Sequence, residues 1–372
     1  MRPARCSRSK VPIKWRSRPN GPWQSPAIEF EGVNVKLTLV PLQSRFIWTL
    51  RNKLRQLAFA SLSCLALSLW AQTAVYPNKP IRLVVPTPPG TPIDIVSRVY
   101  AQRMGEALGQ VMVVENKPGA TGSVGGLAVL QSPADGYTLM TLFMPMSVAP
   151  SIYSKVPFDV RSAFEPIGQT AWSYNVLVVP SSLPQIQSVR DLVTYSKSNG
   201  DQASYASGGH GTPAHVIGEL FGLKTGTKTL HVPYPTGQAV TNMMAGRHSF
   251  MFLAVPSALP GIQSGHLKAL AVAADRRIAN LPNVPTMSEQ GFADLVARDW
   301  QGIVVRKGTP KEVVMKLQAA LDAARKDPKT AEALANVGAE VSQASPEQFG
   351  QFVATEVTRW SEVARAANIK VE

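Results

Sequence analysis

Two glycine-containing segments, Thr87-Pro88-Pro89-Gly90-Thr91 and Ser207-Gly208-Gly209-His210-Gly211-Thr212, each run into a Thr-Pro pair. Threonine is a good N-cap and proline suits the first helical position, so each segment should end at the mouth of a helix. A helix N-terminus presents unpaired backbone N–H groups and the positive end of a dipole, which together suit an anion. If the two segments face each other, a small anion is gripped from both sides, with Thr87, Thr91, Ser207 and Thr212 adding hydroxyls. A hydrogen bond to a charged group contributes roughly 1.5–3 kcal/mol, so four or five of them support micromolar binding without any buried cation.

Other chemistries fit these residues less well. Gly209-His210-Gly211-Thr212-Pro213-Ala214 matches a relaxed dinucleotide fingerprint, but the next strand, ending near 231–234, brings no acid for a ribose. Ser207 and His210 invite a hydrolase, yet Tyr205 occupies the first glycine position of a nucleophile elbow and spacing assigns no partner acid. His210 and His215 are five apart with no neighbouring Glu or Cys to complete a metal shell. His215 falls in the first turn of its helix, where it could donate to a ligand or fill space. Asp94 reads as a helix-start acid, and Trp300 and Trp360 as core or hinge packing. No catalytic residue, metal or cofactor is expected.

The elements that would hold these loops alternate short β-branched runs with helical patterns from Lys79 onward, the mark of parallel sheets covered by helices. Ile81 to Val85 is a buried strand, the helix from Thr91 should stop at Gly109, and Val111 to Val114 is the next strand. Gly119-Ala120-Thr121-Gly122-Ser123 forms a further flexible loop before a helix over 124–130, and Asp135-Gly136 turns into the strand Tyr137 to Phe143. Further strands are expected at 176–179, 249–253 and 267–272. Ser188, Thr309 and Ser345 each open a helix with a capping-box pattern.

The chain of 372 residues carries a formal charge of +14, but residues 1–74 hold 12 Lys/Arg against two acids, which leaves 26 basic and 22 acidic residues, about +4, in the body. No basic run or aromatic ladder occurs there, so nucleic acid is not an expected partner. Both cysteines, Cys6 and Cys64, precede residue 75, leaving the body no thiol for a disulfide, zinc cluster or nucleophile. Arg51, Lys53 and Arg55 precede an apolar stretch from Leu57 to Trp70, followed by small residues at 71–74. That order predicts a secretory signal over 51–74, cleaved between Ala71 and Val75, because 14 apolar residues are short of the ~20 a membrane span needs. Residues 1–50, rich in Arg, Pro and Ser, read as a spurious or disordered extension.

Ordered segments then carry a family likeness over about Tyr76 to Glu372. They include Tyr76-Pro77-Asn78-Lys79-Pro80-Ile81, Pro88-Pro89-Gly90, Val114-Glu115-Asn116-Lys117-Pro118-Gly119-Ala120 and Asp135-Gly136-Tyr137-Thr138-Leu139. Further along come Tyr205-Ala206-Ser207-Gly208, Gly211-Thr212, His215, His231-Val232-Pro233-Tyr234, Leu281-Pro282-Asn283-Val284-Pro285-Thr286, Lys307-Gly308-Thr309-Pro310 and Trp360. The chain resembles the Bug-type, TctC-like solute-binding receptors of tripartite tricarboxylate transporters. The resemblance implies a type II periplasmic-binding fold, a Venus flytrap of two α/β lobes around a hinged cleft. Lobe one would take 75–174 and 297–372, and lobe two 175–296, with crossovers near 172–177 and 294–301.

It implies a periplasmic, monomeric binding protein, with a small carboxylate as ligand and the membrane permease subunits as partners. Carried over position by position, Thr87, Pro89, Gly90, Thr91, Ala120 and Thr121 would bind from lobe one, and Ser207, Gly208, Gly211, Thr212 and His215 from lobe two. Thr87 stands where an aromatic residue is usual, Thr91 and Thr121 replace glycines, and Leu253 replaces a common Asp. Loss of that acid favours a solute with an apolar or aromatic far end over an amino acid. An extracytoplasmic sensor for a signalling receptor, and a periplasmic hydrolase, remain alternative functions.

Overall fold

The computed structural model describes residues 76–370 apart from Thr236; the expected extension, signal segment and both cysteines lie outside the described residues. The order of elements is β1 (Ile81–Val85), α1 (Pro92–Leu108), β2 (Met112–Asn116), α2 (Ser123–Leu130), β3 (Thr138–Phe143), α3 (Met144–Ile152), α4 (Val160–Ala163), β4 (Phe164–Ser173) and β5 (Asn175–Pro180). There follow α5 (Val189–Asn199), β6 (Ser204–Ser207), α6 (Pro213–Thr225), β7 (Leu230–Pro233), α7 (Gln238–Met244), β8 (Met251–Ala254), α8 (Val255–Gln263) and β9 (Leu267–Val272). The chain closes with β10 (Asp299–Arg306), α9 (Lys311–Lys326), α10 (Pro328–Ala335), β11 (Ala339–Val341) and α11 (Pro346–Ala366).

Six strands in the order β11-β4-β10-β3-β1-β2 form the first sheet, with β1 parallel to β2 and β3, and β10 antiparallel to β3 and β4. Its central strands are buried on both faces, which is why β3 reads Thr-Leu-Met-Thr-Leu-Phe without polar alternation. Leu83, Val85, Leu139 and Ile303 pack with Tyr100 and Met104 of α1 and Leu317 and Leu321 of α9. Val84, Met140, Leu142 and Val304 belong to a second core with Phe349 and Trp360 of α11, and that core continues into Leu177, Tyr205 and Phe221 of the other half.

The second half holds the antiparallel sheet β8-β5-β9 and the parallel pair β6-β7, tied together by a bridge between Tyr205 and Phe250. Only Tyr174 separates β4 in one sheet from β5 in the other, and the chain returns to the first sheet at Asp299. Backbone bonds from Ala273 N to Asn175 O (2.8 Å) and from Ala297 N to Ala273 O (3.1 Å) hold the crossing segments side by side.

Helix α11 braces the junction. Its buried residues Phe349, Val353, Glu356, Val357, Trp360 and Val363 recur at helical spacing, and the helix packs on α3, β4 and α6. Glu356 Oε2, buried, accepts from both Trp300 Nε1 (3.1 Å) and Trp360 Nε1 (2.8 Å), so these indoles are core groups with their polar atoms satisfied.

Local details depart from expectation at several element ends; β8, for one, begins at Met251 and not at 249. β2 spans 112–116, because Asn116 still pairs with Val85 of β1. The box at Thr309 does not form: its hydroxyl donates to Arg306 O (2.8 Å), and Pro310 is the N-cap without a side-chain bond. Ser188 and Ser345 close both halves of their boxes.

Candidate functional site

The loop after β1 is fixed from beneath. Asp94, buried in the first turn of α1, accepts from Gly90 N (2.9 Å) and Arg98 Nε (2.9 Å) through Oδ2 and from Asn116 Nδ2 (2.8 Å) through Oδ1. Asn116 Nδ2 also donates to Thr87 O (3.0 Å). Burial alone would raise the Asp94 pKa, but the bonds from Arg98, Asn116 and Gly90 outweigh it and hold the carboxyl below its usual range. Asp94 is thus a clamp for the turn, and the Gly90 amide is spent on it.

Thr91 caps α1 by accepting from Asp94 N (3.3 Å) and donates to Pro88 O (3.0 Å), which leaves Thr87 as donor in the 2.9 Å pair between the two threonines. Both hydroxyl protons are therefore engaged. Pro89 and Gly90 are exposed at the tip.

The loop after β2 has four successive residues with positive φ: Gly119 (131°), Ala120 (44°), Thr121 (52°) and Gly122 (95°). Gly122 is obligatory, because a β carbon there would lie 2.7 Å from Met146 Cγ and 3.0 Å from Phe143 Cε1. This turn feeds the N-terminus of α2, whose Gly125 lies against Pro86 at the base of the first loop. The two loops of the first sheet are neighbours.

In the second half, Ser207 is fully buried and its Oγ is bonded to His231 Nε2 (2.6 Å), accepts from Gly209 N (3.1 Å) and lies 3.2 Å from Gly209 O. Thr212 does not cap α6 with its side chain; its hydroxyl donates to Gly209 O (2.7 Å). His215, also buried, accepts from Gly211 N at Nδ1 (3.1 Å), so the neutral ring carries its proton on Nε2.

His215 stacks on His231 at 3.9 Å, Tyr205 stacks on His231 at 5.0 Å, and His210 stands edge-on to both histidines. Burial, reinforced by the neighbouring histidines, lowers the His215 pKa to about 4 and that of His231 to about 3. Gly208 and His210 are exposed above this stack.

The structure supplies the third imidazole that spacing did not reveal: ligating nitrogens of His210, His215 and His231 lie within 4.8 Å of one another. One nitrogen of each buried ring is engaged, His215 Nδ1 by the Gly211 amide and His231 Nε2 by Ser207, so through these bonds the rings support the glycine loop. Leu253 lies in β8 with its side chain in a core shared with Tyr174, Val176 and Ala214.

The glycine loop meets the turn of the first sheet directly. A β carbon on Gly211, which is buried with φ +73, would lie 3.4 Å from Thr121 Cγ2, 3.5 Å from Thr121 Oγ1 and 2.6 Å from Ile152 Cδ1. Thr121 and Gly211, ninety positions apart, are therefore in contact. Sequence reasoning missed three residues that shape the site: Asn116 and His231, which lie in segments of the family likeness, and Tyr153, which carries no sequence signal.

Two α/β halves joined by paired crossings, with helix-mouth loops meeting between them, define the two-lobed fold of periplasmic binding proteins. Residues 96–369 match the model of the tripartite tricarboxylate transporter family receptor. Protein BugT of Bordetella pertussis is 34% identical over 300 residues, covering 80% of this chain and 92% of BugT. The solved periplasmic binding protein BugD is 34% identical with a TM-score of 0.70, over 80% of this chain and 100% of BugD. Rpa4515 of R. palustris, solved with adipate, is 29% identical with a TM-score of 0.72, again over 80% and 100%. This chain belongs to the tripartite tricarboxylate transporter receptor family.

Proposed function

We propose that the chain captures a small carboxylate between the loops 87–91, 119–123 and 207–212 and delivers it to the permease of a tripartite tricarboxylate transporter. The carrying observation is the contact of Thr121 with Gly211, which closes two helix-mouth loops from separate sheets upon one another. Binding rests chiefly on backbone amides at the starts of α2 and α6, since the hydroxyls of Thr87, Thr91, Ser207 and Thr212 already have partners. The relative solved with adipate supports an aliphatic dicarboxylate as the ligand class. Leu253 acts on selectivity only indirectly, by keeping a charge out of the lobe beneath the site.

The lobes divide at Tyr174 and near residue 297, and the solute shifts the population from open to closed by bridging them. The mature protein starts between residues 71 and 75 after export to the periplasm and works as a monomer. Calorimetry of the mature protein with aliphatic dicarboxylates, amino acids and aromatic acids tests this function. Micromolar or tighter binding of a carboxylate with unchanged solute is the expected result; turnover of the solute, or no carboxylate binding, would overturn the function, and selective binding of aspartate or glutamate would overturn the Leu253 reading.

A further inference from the structure

Thr121 occupies a conformation its side chain resists. With φ 52 and ψ 35 it is left-handed, and Ala120 before it has φ 44. β-branched residues are rare there because Cβ and the branch crowd the backbone, whereas glycine is at ease. Something outside the turn must hold it. The Thr121 hydroxyl is bonded to the hydroxyl of Tyr153 at 2.8 Å, thirty-two positions away.

Tyr153 directly follows α3, where it turns the chain into an extended conformation and ties its amide to Ala149 O (3.1 Å). α3 is a firm base, with Met144 to Ala149 buried against β3 and α11. The preceding residue, Ile152, is the one that touches Gly211. One helix end therefore holds the turn of the first lobe and receives the glycine loop of the second.

We infer that Tyr153 is a positioning residue for solute capture, holding Thr121 left-handed so that the 119–123 turn presents its amides and its Gly211-facing surface to the cleft. Tyr153 acts through Thr121 and does not touch the solute. The inference rests on the reading that the 119–123 turn binds the solute, so the test has one arm that needs no ligand.

In the ligand-free protein, hydrogen exchange is compared for wild type, Tyr153→Phe, Thr121→Val and Thr121→Gly/Tyr153→Phe against Thr121→Gly. Loss of one neutral hydrogen bond predicts exchange about three- to tenfold faster over 120–124 in Tyr153→Phe and in Thr121→Val, with 145–152 unchanged. In the Thr121→Gly background, where the left-handed conformation needs no support, Tyr153→Phe should have no effect. Adipate affinity, measured by calorimetry, should fall about three- to tenfold in the same two single variants and be insensitive to Tyr153→Phe once residue 121 is glycine.

Unchanged exchange over 120–124 in Tyr153→Phe, or an equal loss in the glycine background, would overturn the inference. Faster exchange through the whole of α3 would do so too, since it would mark a merely structural role. If adipate does not bind the wild type, the exchange arm still decides the positioning role, and the failure belongs to the assigned ligand.

Discussion

Replacing Gly211 by alanine places a methyl group where the two halves of the protein meet. Gly211 has φ +73, so any L-residue there is strained by about 1–2 kcal/mol in whatever state keeps that backbone. The new Cβ would also lie 2.6 Å from Ile152 Cδ1 and 3.4 Å from Thr121 Cγ2. Relaxed carbon contacts need about 3.5–4.0 Å, so the Ile152 contact must open by about 1 Å or more. Cδ1 is the end of the Ile152 side chain, but the residue is buried, so moving it disturbs packed neighbours, and overpacking of this kind costs typically 1–3 kcal/mol.

The steric part acts only while the loops touch, so it penalises the closed state and weakens solute binding by about 5- to 150-fold. Gly209→Ala is the control: its φ of +117 is at least as strained, yet nothing lies within 4 Å of its β carbon. Calorimetry with the best-bound dicarboxylate should show a much larger loss for Gly211→Ala than for Gly209→Ala, and Ile152→Val, which removes Cδ1, should recover part of it. Equal losses for the two glycines, with no recovery from Ile152→Val, would show that the loops do not meet in the bound state.

Three further outcomes follow from the buried polar groups. His215 is neutral with a folded pKa of about 4 against about 6.5 unfolded, so the unfolded chain takes up its proton first as pH falls and stability drops between those values. About 2–3 kcal/mol should be lost by pH 4.5 on this account, and His215→Gln should flatten the pH dependence of the urea midpoint; an unchanged slope would refute it. Asp94→Ala removes the shared acceptor of Gly90, Arg98 and Asn116 and should cost about 1–3 kcal/mol, lowering the melting temperature and loosening 87–91 in hydrogen exchange, whereas a neutral effect would mean the clamp is idle. Glu356→Ala should orphan the indoles of Trp300 and Trp360, costing about 1–3 kcal/mol for each and shifting tryptophan fluorescence, while Glu356→Gln, which keeps an acceptor, should be milder.

What the sequence determined was local or compositional. Thr91-Pro92, Ser188 and Ser345-Pro346 start helices because capping chemistry is set within four residues, and Gly109 ends α1 in the left-handed conformation that glycine adopts without strain. The largely apolar runs of β1, β3 and β5 announce buried strands, and the ordered family segments give the family.

Tertiary structure alone decided which polar groups those loops can still offer. Nothing near Ser207 in the chain shows that His231, brought beside it by the parallel pairing of β6 and β7, takes its hydroxyl. Asn116 reaches Asp94 because β2 pairs with β1, and Tyr153 reaches Thr121 because α3 packs its end against the turn. Such partners are chosen by sheet order and helix packing, which sum contacts over the whole chain, whereas a cap or a turn is settled by the few residues that form it.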